Sequence, residues 1–449
     1  MDLQGKKVLV FGAGISGTGS CRLLADKGAE VILYDGNEKL DAAAVANQTG
    51  ARVILGTFPE EELARLDLVV MSPGVPTDLP IVLRMKEEGI PVWGEIELAY
   101  VCGKGEILGI TGTNGKTTTT SLLGEIMKNA FESVFVVGNI GNPYTTVANE
   151  TREDSVIVAE LSSFQLESIL TFRPKVSAVL NITPDHLNRH HTMEAYIQAK
   201  QDIAKNQTSE DTCILNYEDE VTRGMADKID ASVLFFSSAH KLEQGIYLDD
   251  GAIIYKPDKD KEGILICRTE ELQILGVHNY ENVMAAVAMA AVYGVDLDVI
   301  RDTVKSFKGV EHRIEFVAEK GGVVYYNDSK GTNPDAAIKG IQAMNRPTVL
   351  IGGGYDKQSD FHEWIRSFDG KVRYLVLIGA TKEQIQREAA ECGFHDCILR
   401  DTFEEAMDTC VELANPGDAV LLSPACASWV MFPNYEVRGD EFKKYVLEL

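Results

Sequence analysis

The stretch ITGTNGKTTTT, Ile110 to Thr120, constrains this chain more than any other. An apolar β-type run from Glu106 to Ile110 leads into a glycine-bearing turn. The turn ends in Gly115-Lys116-Thr117, and a helix-like segment follows. Strand, tight turn and helix in that order belong to a parallel sheet covered by helices. The same geometry aims backbone N–H groups of the turn and of the helix N-terminus at one point, where phosphate oxygens can sit. Lys116 adds a cation, and the Thr117 hydroxyl can ligate Mg²⁺. The stretch departs from the strict G-x-x-x-x-G-K-[ST] pattern, because Ile110 stands where the first glycine belongs and the glycine is Gly112 instead. Gly112, Thr113, Asn114, Gly115, Lys116, Thr117 and Thr118 are the expected cradle of a nucleoside triphosphate.

A second glycine loop lies near the N-terminus. The apolar run KKVLVFG is followed by Gly12-Ala13-Gly14-Ile15-Ser16-Gly17, a helix-like run to about Lys27, and a strand EVILYD ending at Asp35. Strand, G-x-G-x-x-G, helix and a later acid form the dinucleotide-type fingerprint in its proper context. Gly12 permits the tight turn, Gly14 lets a diphosphate approach the backbone, and Gly17 lets helix and strand pack closely. Asp35 can accept a hydrogen bond from a ribose or base. Further strands are expected in DLVVMSPGV and IPVWGE, and this block ends near Leu98. Two glycine loops imply two phosphate-bearing ligands. A nicotinamide-dependent oxidoreductase would use the first loop and leave the second idle. A simple ATPase or a nucleotide-controlled switch would use only the second. A ligase that activates a nucleotide-linked substrate uses both.

Beyond the phosphate loop come GNIG (Gly138 to Gly141), the strand SVIVAE ending at Glu160, LSSFQLE, and the strand KVSAVLNITPDHL, which places Asp185 and His186 just past its end. Glu160 is either a second magnesium ligand facing Thr117 or a solvated strand-end carboxylate. His186 is open to a ligand or a structural reading in the same way. Residues 210–275 read as short strands and turns, a β-rich insertion, ahead of the alanine-rich helix in GVHNYENVMAAVAMAAVYG. A third block begins near Val310 with VVYYNDSKGTNPD, TVLIGGGYDK, RYLVLIG and DAVLLSPACASW. Each of its strands ends in a polar or glycine loop, where open α/β sheets carry ligands. In TMEAYIQAKQDIAKN, Met193, Tyr196, Ile197, Ile203 and Ala204 follow helical spacing, and Lys200 falls on the same face. A cation there needs a partner carboxylate, a chemical change such as carbamylation by CO₂, or room for its ammonium to snorkel out. Spacing alone leaves the three open.

With 449 residues the chain exceeds one ordinary core. A formal net charge of −25 and the lack of any basic run argue against a nucleic-acid partner. No apolar run is long enough to span a bilayer, and the N-terminal residues enter a strand without signal-peptide architecture. The eight cysteines are scattered without zinc or C-x-x-C spacing, which suits free thiols. A soluble, cytoplasmic protein is the expectation.

The strings TGTNGKTT, ELSSFQLE, NITPDHL with a later QAK, GVHNYEN, HRIE, NDSKGTNPDA and SPACASW…NYEVRG together resemble the Mur ligases, the ATP-dependent amino-acid ligases of peptidoglycan synthesis. They span nearly the whole chain in the family's order. The resemblance implies an α/β enzyme of three domains: a Rossmann-like domain over 1–98, a P-loop-type ATPase domain with a mainly parallel sheet over 99–309, and a second Rossmann-like domain over 310–449. It implies that ATP activates UDP-N-acetylmuramoyl-L-alanine as an acyl phosphate, which D-glutamate then captures. The choice of D-glutamate rests on NDSKGTN, SPACAS and Gly12–Gly17. By the same resemblance, Gly14, Ile15, Ser16, Asp35, Ser72 and Gly74 would meet the uridine diphosphate, and Asn139 and His186 the muramoyl-alanine part. Asn279, Asn282 and Asp328 would face adenosine, while Arg313 and Lys330 would reach toward the phosphates. Thr117 and Glu160 would hold one Mg²⁺, and His186 with a carbamylated Lys200 a second. Lys116, Glu160, His186 and Lys200 would form the catalytic set. Thr332, Lys357, Ser428 and Tyr435 would take D-glutamate. The implied partners are small molecules, with no nucleic acid and no membrane, and the expected working unit is a monomer.

Overall fold

The computed structural model describes residues 2–355 and 359–449, so Lys357 lies outside the described residues. Among the described residues, the strands form three sheets. The first contains β1 (Lys7–Phe11), β2 (Glu30–Asp35), β3 (Arg52–Leu55), β4 (Leu68–Met71) and β5 (Val92–Gly94), in the order β3-β2-β1-β4-β5 and parallel throughout. Strand order reverses between β1 and β4. The crevice at such a switch point, beyond the strand carboxyl ends, is where open α/β sheets bind ligands. The Gly12–Gly17 loop and the Ser72–Gly74 turn both lie there.

The second sheet contains β6 (Glu106–Thr111), β7 (Val134–Gly138), β8 (Val156–Glu160), β9 (Val176–Val179), β10 (Thr212–Asn216), β11 (Ser232–Ser237), β12 (Gly245–Asp249), β13 (Ala252–Lys256) and β14 (Ile264–Arg268). Its order is β14-β13-β12-β11-β10-β9-β6-β8-β7. The pairs from β7 to β12 are parallel, and β12 and β13 form an antiparallel hairpin. Residues 210–275 are therefore not an insertion. Their strands, β10 to β14, extend the sheet that carries the phosphate loop, because β10 pairs directly with β9. Short, half-exposed strands such as β12 and β13 hid that continuity from a reading based on apolar runs. The central strands β8 and β9 are buried along their whole length, as expected of parallel strands covered on both faces.

The third sheet contains β15 (Glu315–Lys320), β16 (Val323–Asn327), β17 (Thr348–Gly354), β18 (Val372–Gly379), β19 (Cys397–Leu399) and β20 (Ala419–Leu422), in the order β15-β16-β20-β17-β18-β19. Only its edge pair, β15 with β16, is antiparallel. No helix among the described residues is long and apolar enough to cross a membrane.

The chain divides into two compact units. One comprises residues 1–267 and 281–304, the other 268–280 and 305–449. The first two sheets share a unit because they share a core: Val8, Val10, Ile96 and Leu98 belong to the same apolar cluster as Ile107, Leu166 and Phe172. The helix Glu95–Cys102 runs through residues 98 and 99 and links the two sheets. Residues 268–280 join the second unit, where Leu275 enters the core beneath the third sheet and Glu271 pairs with Lys305.

The glycines of the first loop separate by packing. A Cβ at Gly17 would lie 1.8 Å from the Gly12 carbonyl oxygen, a backbone atom that cannot step aside, whereas one at Gly14 would meet nothing within 4 Å. Gly17→Ala should therefore destabilise the first unit by about 3 kcal/mol or more, the upper end for overpacking. Gly14→Ala should cost less than about 1 kcal/mol, a cap effect alone. Thermal melts of the two ligand-free variants check this, and equal melting temperatures would refute the packing account.

Candidate active site

The phosphate loop joins β6 to the helix Lys116–Ala130, with Gly115 in the left-handed region (φ 83°) as the N-cap. No Cβ fits at Gly115, since it would lie 2.1 Å from Asn282 Oδ1. Asn282 thus sits directly on the loop, and Thr119 Oγ1 donates to the same oxygen at 3.4 Å. The loop is tied down from the side as well. Asn114 N donates to Asn181 Oδ1 at 2.8 Å and Asn181 Nδ2 returns a bond to Asn114 O at 3.1 Å. Thr113 Oγ1 lies 2.9 Å from the Tyr196 hydroxyl.

Two lysines converge on this loop. Lys116 Nζ donates to the Gly112 and Thr113 carbonyls at 2.8 and 2.9 Å, and Lys200 Nζ donates to the same Gly112 carbonyl at 2.7 Å. Lys200 is 2% exposed, with its ammonium 4.9 Å from the Tyr196 ring centroid. The snorkelling alternative is thereby excluded, since the ammonium end is buried and bonded to backbone. Burial, helped by the positive charge of Lys116, brings the Lys200 pKa from 10.5 down to about 7.

Glu160 ends β8 next to the loop, and it is not solvated: it is 1% exposed. Oε1 accepts from Asn139 Nδ2 at 2.8 Å, while Oε2 is buried without a partner. A buried carboxylate oxygen with no donor is costly unless something cationic meets it. That is a fit for a divalent ion held with Thr117, at the start of the neighbouring helix. His186, by contrast, is half exposed. Its Nε2 lies 3.5 Å from Asp185 Oδ2, and its ring lies 4.9 Å from that of Phe164.

At the first sheet, Asp35 is used by the protein itself. Its Oδ2 accepts from Ala13 N and its Oδ1 from Asn37 N, each at 2.8 Å, so it clamps the glycine loop. Free lone pairs remain on both oxygens. Ser72 Oγ donates to the Gly12 carbonyl at 3.2 Å, which joins turn and loop, and Ile15, the first residue of the loop's helix, is exposed.

The second unit carries its own polar cluster. Asp328, fully buried past the end of β16, accepts from Ser423 Oγ at 2.6 Å, and burial pushes its carboxyl up to about 7. Lys330 lies 5.4 Å over the Tyr435 ring. Ser329 Oγ donates to the Tyr435 carbonyl at 2.8 Å, and Thr332 N donates to the Lys330 carbonyl. Ser428 is buried. Arg313 Nε is buried without a partner. Burial, together with the charges of Lys339 and Arg313, holds the His278 imidazole down at about 4. Asn279 Nδ2 donates to the Leu275 carbonyl. Arg438 was not singled out by the sequence reading. It is buried and binds Ser329 Oγ at 2.9 Å, Ser329 O at 2.8 Å and Cys426 O at 3.2 Å, so it locks two loops together. Tyr196 and Asn181 were missed in the same way. Each sits inside a string that was read for another residue, and only the fold turns them toward the loop.

A strand–glycine loop–helix unit flanked by two lysines, one of them buried, and an unsatisfied buried carboxylate is built to handle phosphates, on a chain with a second glycine loop at another sheet's switch point. Comparisons with known proteins agree with that class. The family model for the Mur ligase MurD-like N-terminal domain matches residues 6–94, that for the Mur ligase middle domain 110–290, and that for the Mur ligase glutamate ligase domain 312–426. The UDP-N-acetylmuramoylalanine–D-glutamate ligase of Lachnoclostridium phytofermentans is 57% identical over 450 residues, covering 99% of each chain. The enzyme of that name from Clostridioides difficile is 49% identical over 454 residues, covering both chains completely. The chain belongs to the Mur ligase family. Among solved structures, MurF from Acinetobacter baumannii superposes with a TM-score of 0.62 at 16% identity, covering 99% of this chain and 94% of that one. The UDP-N-acetylmuramate–alanine ligase of Thermotoga maritima gives 0.58 at 20% identity, covering 98% and 99%. At those identities the likeness is one of fold.

The buried lysine has a measurable consequence. With its pKa lowered from 10.5 to about 7, folded Lys200 binds fewer protons than the unfolded chain between those two values. Its contribution to stability therefore rises with pH across that window. In CO₂-free buffer, the urea-unfolding free energy of the wild type relative to Lys200→Met should climb from pH 7 to pH 10. A difference that stays flat would mean the ammonium bears no burial cost.

Proposed function

We propose that this protein is an ADP-forming ligase that joins D-glutamate to UDP-N-acetylmuramoyl-L-alanine through an acyl phosphate, a step in peptidoglycan precursor synthesis. The observation that carries the reading is the convergence of Lys116, Lys200 and the unsatisfied Glu160 carboxylate on one phosphate loop. Full-length relatives that carry the D-glutamate ligase name support it.

The substrate carboxylate attacks the γ-phosphorus of ATP, ADP leaves, and the acyl phosphate forms. The amine of D-glutamate then attacks the acyl carbon and phosphate leaves. The first step brings two anions together, so positive charge must be in place beforehand. Lys116 supplies part of it: its ammonium now rests on loop carbonyls and can turn to phosphate oxygens that the loop N–H groups hold. Thr117 and Glu160 would hold one Mg²⁺, and His186 with Lys200 a second; the ions would neutralise phosphate charge during transfer. A Lys200 amine with a pKa near neutrality can add to CO₂. The N–C bond forms, a proton leaves to water, and the buried position becomes an anionic carbamate instead of a cation beside Lys116.

In this scheme Gly14, Ile15, Ser16, Asp35, Ser72 and Gly74 hold the uridine diphosphate, and Asn139 and His186 face the muramoyl-alanine arm. Asn279, Asn282 and Asp328 serve adenosine. Arg313 and Lys330 supply charge toward phosphate, and Thr332, Ser428 and Tyr435, together with Lys357, take D-glutamate. The division of labour follows residues 1–98, 99–309 and 310–449. The enzyme works in the cytoplasm as a monomer on small molecules, without nucleic acid.

ADP release should require both UDP-N-acetylmuramoyl-L-alanine and D-glutamate, and L-glutamate should give only background. Equal turnover with L-glutamate would refute the stereochemical assignment. Turnover indifferent to any amino acid would favour a nucleotide switch. Lys200→Ala should lose activity by about 10²-fold or more, the scale for loss of a transition-state charge partner. Acetate should restore part of that activity by filling the vacated place with a carboxylate. An Ala variant near wild-type activity would remove the carbamate from the scheme.

A further inference from the structure

Arg189 lies three residues past His186, on the helical turn Leu187–His190, and its guanidinium is a meeting point of separate segments. Its Nη2 donates to the Val75 carbonyl at 3.0 Å and to Glu167 Oε2 at 2.9 Å. Its Cζ lies 4.9 Å from the centroid of the Phe164 ring, and the side chain is 11% exposed. Val75 closes the turn that begins at Ser72, through Val75 N to Ser72 O at 3.0 Å, and Ser72 is bonded to the first glycine loop. Phe164 and Glu167 lie just past the end of β8, beyond Glu160, and the Phe164 ring also meets the His186 ring.

The segment that receives Arg189 is fixed from behind. Glu167 Oε1 lies 3.1 Å from His190 Nδ1, and His190 Nε2 lies 2.9 Å from Ser163 Oγ. Glu167 thus faces one ring nitrogen of His190 and the Ser163 hydroxyl the other. Ser163 and His190 are both buried, so these contacts are shielded from water. Thr77 Oγ1 adds a bond to Glu167 Oε2 at 3.4 Å from the first-sheet side. One planar cation thus spans a carbonyl of the first sheet's turn, a carboxylate of the second sheet's loop and an aromatic face. Both hydrogen bonds leave from one nitrogen, so what a lysine ammonium cannot reproduce is the flat guanidinium face laid over the Phe164 ring.

We propose that Arg189 is a positioning residue for the ligation: it clamps the Ser72–Val75 turn of the first sheet to the segments bearing Phe164 and His186, and so sets the distance between the place where the nucleotide-linked substrate is held and the place where its carboxylate reacts. The proposal rests on the ligase reading above. It predicts a particular kinetic pattern, because a positioning group acts on the reacting geometry and not on the binding of either substrate end.

Arg189→Met and Arg189→Lys test it in the full-length enzyme by steady-state ATP turnover, with binding of UDP-N-acetylmuramoyl-L-alanine measured separately by calorimetry. Arg189→Met should lower kcat by about 10²-fold, the cost of a misplacement near 1 Å. KM for MgATP and for D-glutamate, and the affinity for the UDP substrate, should stay within about threefold of wild type. Arg189→Lys, which restores charge and donors without the flat stacking face, should fall between Met and wild type. A kcat within twofold of wild type for Arg189→Met overturns the proposal. So does a parallel loss of kcat and of both substrates' affinities with a lowered melting temperature, which would make Arg189 a structural strut. If the Met variant does not fold, the Lys variant decides by the same split. Turnover of the wild type without D-glutamate would fault the ligase reading alone, since the Arg189 comparison is read on ATP turnover.

Discussion

Two ammonium groups share one carbonyl oxygen, that of Gly112, and much of the site follows from that contact. A loop carbonyl is a modest partner for one buried cation and a poor one for two. Lys116 can leave, because its side chain is only partly buried and the loop it rests on is the place where phosphates bind. Lys200 cannot leave, being enclosed by the apolar face of its helix and by Tyr196. The strain is relieved by loss of charge on Lys200, and its lowered pKa expresses this. The same contact places an amine that is readily made neutral, and from there anionic, beside a phosphate loop.

Around that point the protein spends its buried carboxylates in different ways. Glu97 accepts from the N–H groups of Leu170, Thr171 and Phe172, so its charge is fully met by donors, and it stitches the helix after β5 to the segment after β8. Glu95 has Gln165 on one oxygen and nothing on the other, and burial raises its pKa to about 7. Glu160 has Asn139 on one oxygen and an open second oxygen beside the loop. The first two carboxylates bind the first sheet to the second. Together with the shared apolar core, they make these sheets one compact unit, so a clamp such as Arg189 has rigid ground on both sides.

The second unit is organised by cations instead. Arg438 is buried without a carboxylate in its hydrogen bonds, holding the loop after β16 to the loop after β20 through Ser329 and Cys426. Burial, with the charges of Lys339 and Arg313, keeps His278 neutral, and burial likewise raises the Asp328 carboxyl. Cations such as Arg313 and Lys339 suit anions, which is the common chemistry of phosphates and of a dicarboxylic amino acid.

Much of this was legible in the residues alone. The glycine loops, the strands leading into them and the alternation of strands and helices were readable because backbone conformation there is dictated locally: a glycine with positive φ, an apolar run, a helix start. Lys200 could be flagged as a conflict, a cation on an apolar face, since helical periodicity is also local. What that conflict resolves into was not legible, because the outcome depends on which atom lies opposite, and that atom is a carbonyl some ninety positions away along the chain. The same holds for Asp35, readable as a ligand for ribose but employed in clamping Ala13, and for residues 210–275, which read as an insertion yet continue the main sheet through one pairing of β10 with β9. Arg189 and Arg438 carry no local signal at all, and Tyr196 shows only its apolar helical spacing. Sequence by itself determined which elements form and where phosphates can meet backbone, since both follow from short-range sterics and periodicity. The tertiary structure alone decided which polar groups are buried together, and with that the charge state of Lys200, the open oxygen of Glu160 and the bridge from the Ser72–Val75 turn to His186, because desolvation and hydrogen bonding across distant segments have no counterpart in local pattern.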